Sequence, residues 1–191
     1  MKKINLIILL SLFALKGFCQ LEVKRISGGS VITKLTMGIK VNDGSTLTRE
    51  FIVINSPTCP LQLSDVGVNT AYGGNSYSFV PVGTVTPKEP ITAYEVNHVL
   101  YNVFGEHMRT LSNLEITDLK ATAGFDKYSS WYASENSVSE YFICVSYVAN
   151  VRTANNVIWH YDSKDIQAEL NKIKLKFDES YEPPKLNDKE K

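Results

Sequence analysis

The residues of this 191-residue chain suited to acid–base, nucleophilic or metal chemistry are three histidines, three cysteines and a scatter of carboxylates. His98, His107 and His160 stand apart. None has a second His, a Cys or a paired acid at ligand spacing. His-Glu-x-x-His, Cys-x-x-Cys and an alternating Asp-rich calcium loop are all missing. Glu106 and His107 are adjacent, so in an extended strand they point to opposite faces. The sequence therefore predicts no metal and no cofactor. A serine nucleophile would need a Gly-x-Ser-x-Gly elbow, which is absent; Gly28-Gly29-Ser30 has no strand-to-helix turn after it. A cysteine nucleophile would need a His beside it in space, and for Cys144 the only serious partner is His98. Glycoside hydrolysis needs two carboxylates flanking a sugar. Glu135, Glu140 and Glu95 could supply them, or could be solvated strand edges. No catalytic residue is assigned.

Aromatic residues are the better binding candidates. Tyr72-Gly73-Gly74-Asn75-Ser76-Tyr77 lacks the Lys and the following helix of a phosphate loop. It reads as a hairpin or loop tip carrying two rings. Those rings either stack on a sugar or on a partner's apolar patch, or pack back on the sheet edge. Trp131-Tyr132, in a Ser-rich stretch, is the second candidate. Trp159 and Tyr161 read as a hinge that packs a helix onto the sheet.

The positioning elements begin with an export signal. Lys2 and Lys3 precede the apolar run Ile4 to Leu15, and Gly17-Phe18-Cys19 gives small residues at −3 and −1, so the mature chain would start at Gln20. The run is too short for the ~20 residues of a spanning helix. Acylation of Cys19 would make a lipoprotein, but bulky Phe18 argues against it. The signal resembles those of exported Bacteroidetes proteins. Basic and acidic residues number 20 each. Losing Lys2, Lys3 and Lys16 leaves a mild acidic excess, which gives no case for nucleic acid or an anionic membrane surface. In an oxidising compartment, Cys59 and Cys144 are candidates for a disulfide; the alternative is two separately buried thiols.

The body reads as all-β. Alternation over Val31 to Val41, Asn42-Asp43-Gly44 and the apolar run Phe51 to Ile54 predict a hairpin. Asp65 to Ser76 reads as loop, followed by strands over Tyr77 to Val85, kinked or ended at Pro81, Ile91 to Phe104, His107 to Ile116, Val138 to Arg152 and Val157 to Tyr161. One helix is predicted over about 162–175, capped by Asp162 or Ser163, with Ile166, Leu170 and Ile173 on its apolar face and Gln167, Glu169, Lys172 and Lys174 in water. Residues 178–191 read as a disordered tail. The expected organisation is a signal over 1–19, then an immunoglobulin-like antiparallel β-sandwich of about seven strands with its helix over 20–177.

Ile91 to Gly105, with Val99-Leu100-Tyr101-Asn102, resembles the FxLYD-type immunoglobulin-like domains of exported bacterial proteins. Leu100 and Tyr101 match; His98 stands where Phe belongs and Asn102 replaces Asp. The resemblance implies an accessory sandwich without established catalysis and carries no site residues across. The expected function is thus an exported, non-enzymatic protein in the cell envelope: periplasmic, cell-surface or extracellular. A protein partner is expected. The alternatives are a carbohydrate-binding module using Tyr72, Tyr77, Trp131 and Tyr132, and a hydrolase whose site is not recognisable.

Overall fold

The computed structural model describes residues 19–25, 31–40, 46–126 and 129–176, with side chains from residue 49 onward except that of Ser163. Residues 1–18 of the expected signal, Gly28-Gly29-Ser30, the Asn42-Asp43-Gly44 turn and the predicted tail lie outside the described residues, while Cys19, expected to end the signal, is the first residue of β1. In chain order the elements are β1 (Cys19–Arg25), β2 (Val31–Lys40), β3 (Thr46–Asn55), β4 (Leu61–Gly73), β5 (Ser76–Pro87), β6 (Ile91–Asn102), β7 (His107–Leu119), β8 (Ala123–Gly124), β9 (Trp131–Ala133), α1 (Glu135–Glu140), β10 (Tyr141–Thr153), β11 (Ile158–His160) and α2 (Ser163–Lys172). One sheet runs β1-β2-β3-β10-β6-β7, with β11 also on β10; the other runs β4-β5-β8, with β9 also on β5. Every pairing is antiparallel except β3 with β10. The fold is an all-β sandwich, as the alternation predicts. Its described strands number eleven rather than about seven, and α1 is a second, short helix where strand was expected to begin at Val138.

β10 explains the layering. Its residues are apolar on both faces, the pattern of a strand buried twice. Cys144, Leu100 and Phe51 pack with Val68 and Phe79 of the second sheet, while Val148, Val96 and Val53 pack with Leu61, Leu63, Val66 and Val85. Val145, Tyr147, Val99, Tyr101, Ile52 and Ile54 face the other way and are covered by Ile166, Leu170 and Leu175. The order of layers is therefore second sheet, first sheet, α2. Asp162 caps the helix by accepting from Lys164 N at 2.8 Å. At the other end Lys174 turns left-handed (φ 63°), Lys174 N reaches Asn171 O and Leu175 N reaches Leu170 O. This closure seats Leu175 back against the sheet. Glu169, expected in water, is only 7% exposed; a carboxylate oxygen accepts from Lys172 Nζ at 2.9 Å. Lys172, one turn on, supplies the charge that makes this burial tolerable.

The predicted loop over Asp65 to Ser76 is corrected: most of it is β4. One of its glycines, Gly67, serves packing rather than flexibility. A Cβ on Gly67 would lie 2.6 Å from Phe51 Cγ, so the missing side chain lets that ring press on the strand. The ladder shifts register between Ser64 and Gly67, where Asp65 has φ 54°. Pro81 does not end β5, which continues to Pro87. On the side away from β4, β9 pairs residues 77–79 and β8 pairs 84–85, so Pro81 sits in the gap where no ladder partner calls for an N–H. Asn55 completes the edge of β4: its Nδ2 donates to Leu63 O and its Oδ1 accepts from Leu63 N, both at 2.9 Å.

Candidate functional site

Two places could carry function: a polar chain inside the sandwich and the exposed rings on the hairpin tips at one end. Inside, Ser146 on β10 lies opposite His98 on β6. His98 Nδ1 is 2.9 Å from Ser146 Oγ, and Ser146 Oγ is 3.5 Å from Cys144 Sγ. All three are fully buried. The His98 ring meets Phe125 and Trp131 edge-on, at centroid distances of 5.8 and 5.9 Å. Cys144 and His98 do share a face, but Ser146 stands between them. Burial pushes the Cys144 thiol up to about 11 and the His98 imidazole down to about 3. Both groups are uncharged at neutral pH, the reverse of an activated thiolate–imidazolium pair. His98 Nε2 has no partner, so no carboxylate orients the ring. The arrangement is a core polar network that sets the register of β6 against β10.

Of the two readings of Cys59 and Cys144, the structure gives separately buried thiols and not the candidate bridge: both are free. Cys59 belongs to the core around Leu61 and Val85, Cys144 to the core around Phe51 and Phe79. Cys59 follows the turn at one end of the sandwich, whereas Cys144 lies toward the start of β10 at the other, so their strands never bring them together. Cys59 backs a cleft of about 210 Å³ between Pro57, Lys88, Val157 and Trp159, and burial raises its thiol to about 11. Thiol titration of the unfolded, unreduced protein is expected to label both residues; protection of both would restore the bridge.

The remaining titratable candidates are scattered. His107 Nε2 is 3.0 Å from Thr110 Oγ1, and His160 Nδ1 contacts Asn150. Glu95, on the outer face of β6, accepts from Ser112 and Asn150. Glu135 and Glu140 sit on α1, near the start of β10, and the structure does not bring them to Glu95. Among the described residues no three His, Cys, Asp or Glu side chains converge on a point that could hold a metal ion.

Exposed rings stand on the two hairpin tips at the end where β10 begins. There Tyr141 pairs with Asn102 of β6 and donates to Val68 O of β4 at 2.8 Å. Arg49, which no sequence motif singled out, locks this corner. It donates to Tyr141 O (3.0 Å), Val138 O (2.9 Å) and Thr70 Oγ1 (2.9 Å), and its guanidinium lies over the Tyr141 ring. Burial lowers its pKa from the usual value. Two hairpin tips project past this corner. The β4–β5 tip turns at Gly74-Asn75, both with positive φ, as Asn and Gly allow. Beside it Tyr72 (64% exposed) and Tyr77 pair across the strands, centroids 4.8 Å apart. The β6–β7 tip carries Val103 and Phe104 in the turn itself, Phe104 82% exposed. Asn102 organises that turn: its Oδ1 accepts from Phe104 N (2.9 Å) and Glu106 N (3.0 Å), and its Nδ2 donates to Glu106 Oε2 (2.7 Å). Gly105 has φ 77°, and a Cβ there would crowd Leu175 Cδ2 at 3.2 Å, so the tip rests on the closing turn of α2.

The four sequence candidates do not make one platform. Tyr77 and Trp131 pack against the core that holds Phe79 and Tyr141. Tyr132, 62% exposed, lies between Trp131 and Ala133 in the strand and so faces the opposite side of the second sheet. Sequence reasoning missed Val103 and Phe104 by ending the strand after them. The available signal was Asn102, whose side chain can bond to the backbone two residues on and so start a turn. No family model matches the chain, and no curated protein and no solved structure matches it.

Proposed function

We propose that this chain is an exported, non-enzymatic β-sandwich that binds a protein partner in the cell envelope through its hairpin-tip end. The observation that carries the reading is Phe104: a large apolar side chain held out in water on a turn that Asn102 and Gly105 make rigid. A preorganised aromatic anchor loses little conformational entropy on binding and fits an apolar socket. Val103 beside it widens the apolar contact, and Tyr72 is exposed on the other hairpin tip. The basic and apolar run at the N-terminus supports export, and the likeness of His98 to Asn102 to FxLYD-type domains supports an accessory role.

A photo-cross-linking side chain at position 104, irradiated in native envelopes, tests this. One discrete protein adduct is expected. Excess wild-type protein should compete it away, and excess Phe104→Ser protein should not. Equal competition by both would remove the tip from the function. Saturable glycan binding lost on Tyr72→Ala would replace the protein partner with a carbohydrate.

A further inference from the structure

We propose that β7 is a self-pairing edge, through which two copies of this chain join into one continuous sheet about a two-fold axis at Leu114. β7 is the outermost strand of its sheet, with β6 on one side and no strand on the other among the described residues. An edge of 13 residues offers a row of backbone donors and acceptors to another strand. Its inward residues, Leu111, Asn113 and Leu119, are buried, while on its outer face Leu114 is 66% exposed and Ile116 is 85% exposed. α2 covers residues of β3, β10 and β6 near Val99 and Tyr101 and does not reach this pair.

The occupant follows from the side-chain order of β7. An antiparallel two-fold pairing is isologous, so each residue must tolerate its own partner position. Centred on Leu114, Leu114 meets itself, Ile116 meets Ser112, Asp118 meets Thr110 and Glu115 meets Asn113. No like charges oppose one another. Each Glu115 is already satisfied within its own chain, accepting from Tyr94 Oη at 2.6 Å and from Asn113 Nδ2 at 3.1 Å. A shift by one step in one direction would set Glu115 against Glu115. A shift in the other would set Leu111 against Glu115 and Ile116 against Thr110, and would part the two leucines. The order of the strand thus selects one register of one partner, a second copy.

The experiment uses the full mature protein. Sedimentation is expected to give the mass of two chains for wild type and of one chain for Leu114→Lys/Ile116→Lys, with the melting midpoint of the subunit retained. Register is read separately by mild oxidation with diamide. Leu114→Cys should cross-link readily between chains, because the two positions face each other at disulfide distance. Ser112→Cys should not, because it faces Ile116. A monomeric wild type, a dimer that survives the double lysine variant, or preferential cross-linking of Ser112→Cys would each overturn the proposal.

Discussion

The sandwich interior and its hairpin-tip end divide reactivity from access. The interior holds a thiol and an imidazole, each within hydrogen-bond reach of the Ser146 hydroxyl between them. Burial keeps the thiol and the imidazole neutral and out of contact with any substrate. The tips instead present Phe104, Val103 and Tyr72 to solvent on tightly bonded turns. Residue type alone would point to chemistry inside; accessibility favours the end, where we propose the partner binds. Nucleophilic residues need a charged form and a path for substrate, and desolvation removes both at once. An apolar anchor needs only exposure and rigidity.

Four experiments bear on that division. The largest expected effect concerns what holds the tip. Leu170 is fully buried under α2, in the same cluster as the Leu175 that supports Gly105. Leu170→Ala should destabilise the fold by roughly 2–4 kcal/mol, through lost transfer energy and a residual cavity. A loss under about 0.5 kcal/mol in urea unfolding would mean that the helix is not part of the core.

Next comes acid. His98 has a folded-state pKa of about 3 against an ordinary 6.5. As pH falls below 6.5 the unfolded chain takes up a proton that the folded chain refuses. The unfolded state then binds more protons, so stability is present above pH 6.5 and lost as pH drops toward 3. The slope approaches ~1.4 kcal/mol per pH unit well below pH 6.5, which amounts to roughly 2 kcal/mol between pH 6.5 and 4.5. His98→Gln should flatten the urea-midpoint profile over that window by this amount. An unchanged profile would show that His98 is protonated in the fold and the interior is less dry than its burial indicates.

A smaller and slower effect is expected at the thiols. With both raised to about 11 by burial, Cys59 and Cys144 should react with a thiol reagent at neutral pH far more slowly in the folded protein than after unfolding. Fast labelling of Cys144 would reopen the interior as a site. The smallest effect belongs to the tip. Phe104→Ser should shift stability by under about 0.5 kcal/mol, since the ring contributes little to the core, while abolishing competition in the cross-linking assay. A large loss of stability would show that the ring packs after all.

Much of the architecture was legible in the residues. Alternation over Val31 to Val41 and the apolar run at Phe51 to Ile54 mark β2 and β3 because a half-buried and a buried strand need those patterns. The double apolar face of Ile143-Cys144-Val145 marks the strand that lies between two layers. Asp162 and the spacing of Ile166 and Leu170 mark α2. β4 was not legible, because Gly67 and Gly73 read as loop; only the Phe51 ring above Gly67 explains a glycine inside a strand. Glu169 was misread because helical spacing says which way a side chain points, not how much of it the rest of the fold covers.

The site was legible in part. The sequence by itself determined which chemistries had the right residue types, that Tyr72 and Tyr77 flank a hairpin tip, and that His98 was the one histidine able to meet Cys144. Tertiary structure alone decided that Ser146 comes between those two and that Cys59 and Cys144 lie in different cores. It also decided that Tyr77 and Trp131 turn inward while Phe104 stands free. Local pattern records the preferences of a residue and its near neighbours. Which groups meet across sheets, and which are left in water, depends on contacts between strands far apart in the chain, such as Arg49 with Tyr141, and short-range order in the sequence does not encode those distances.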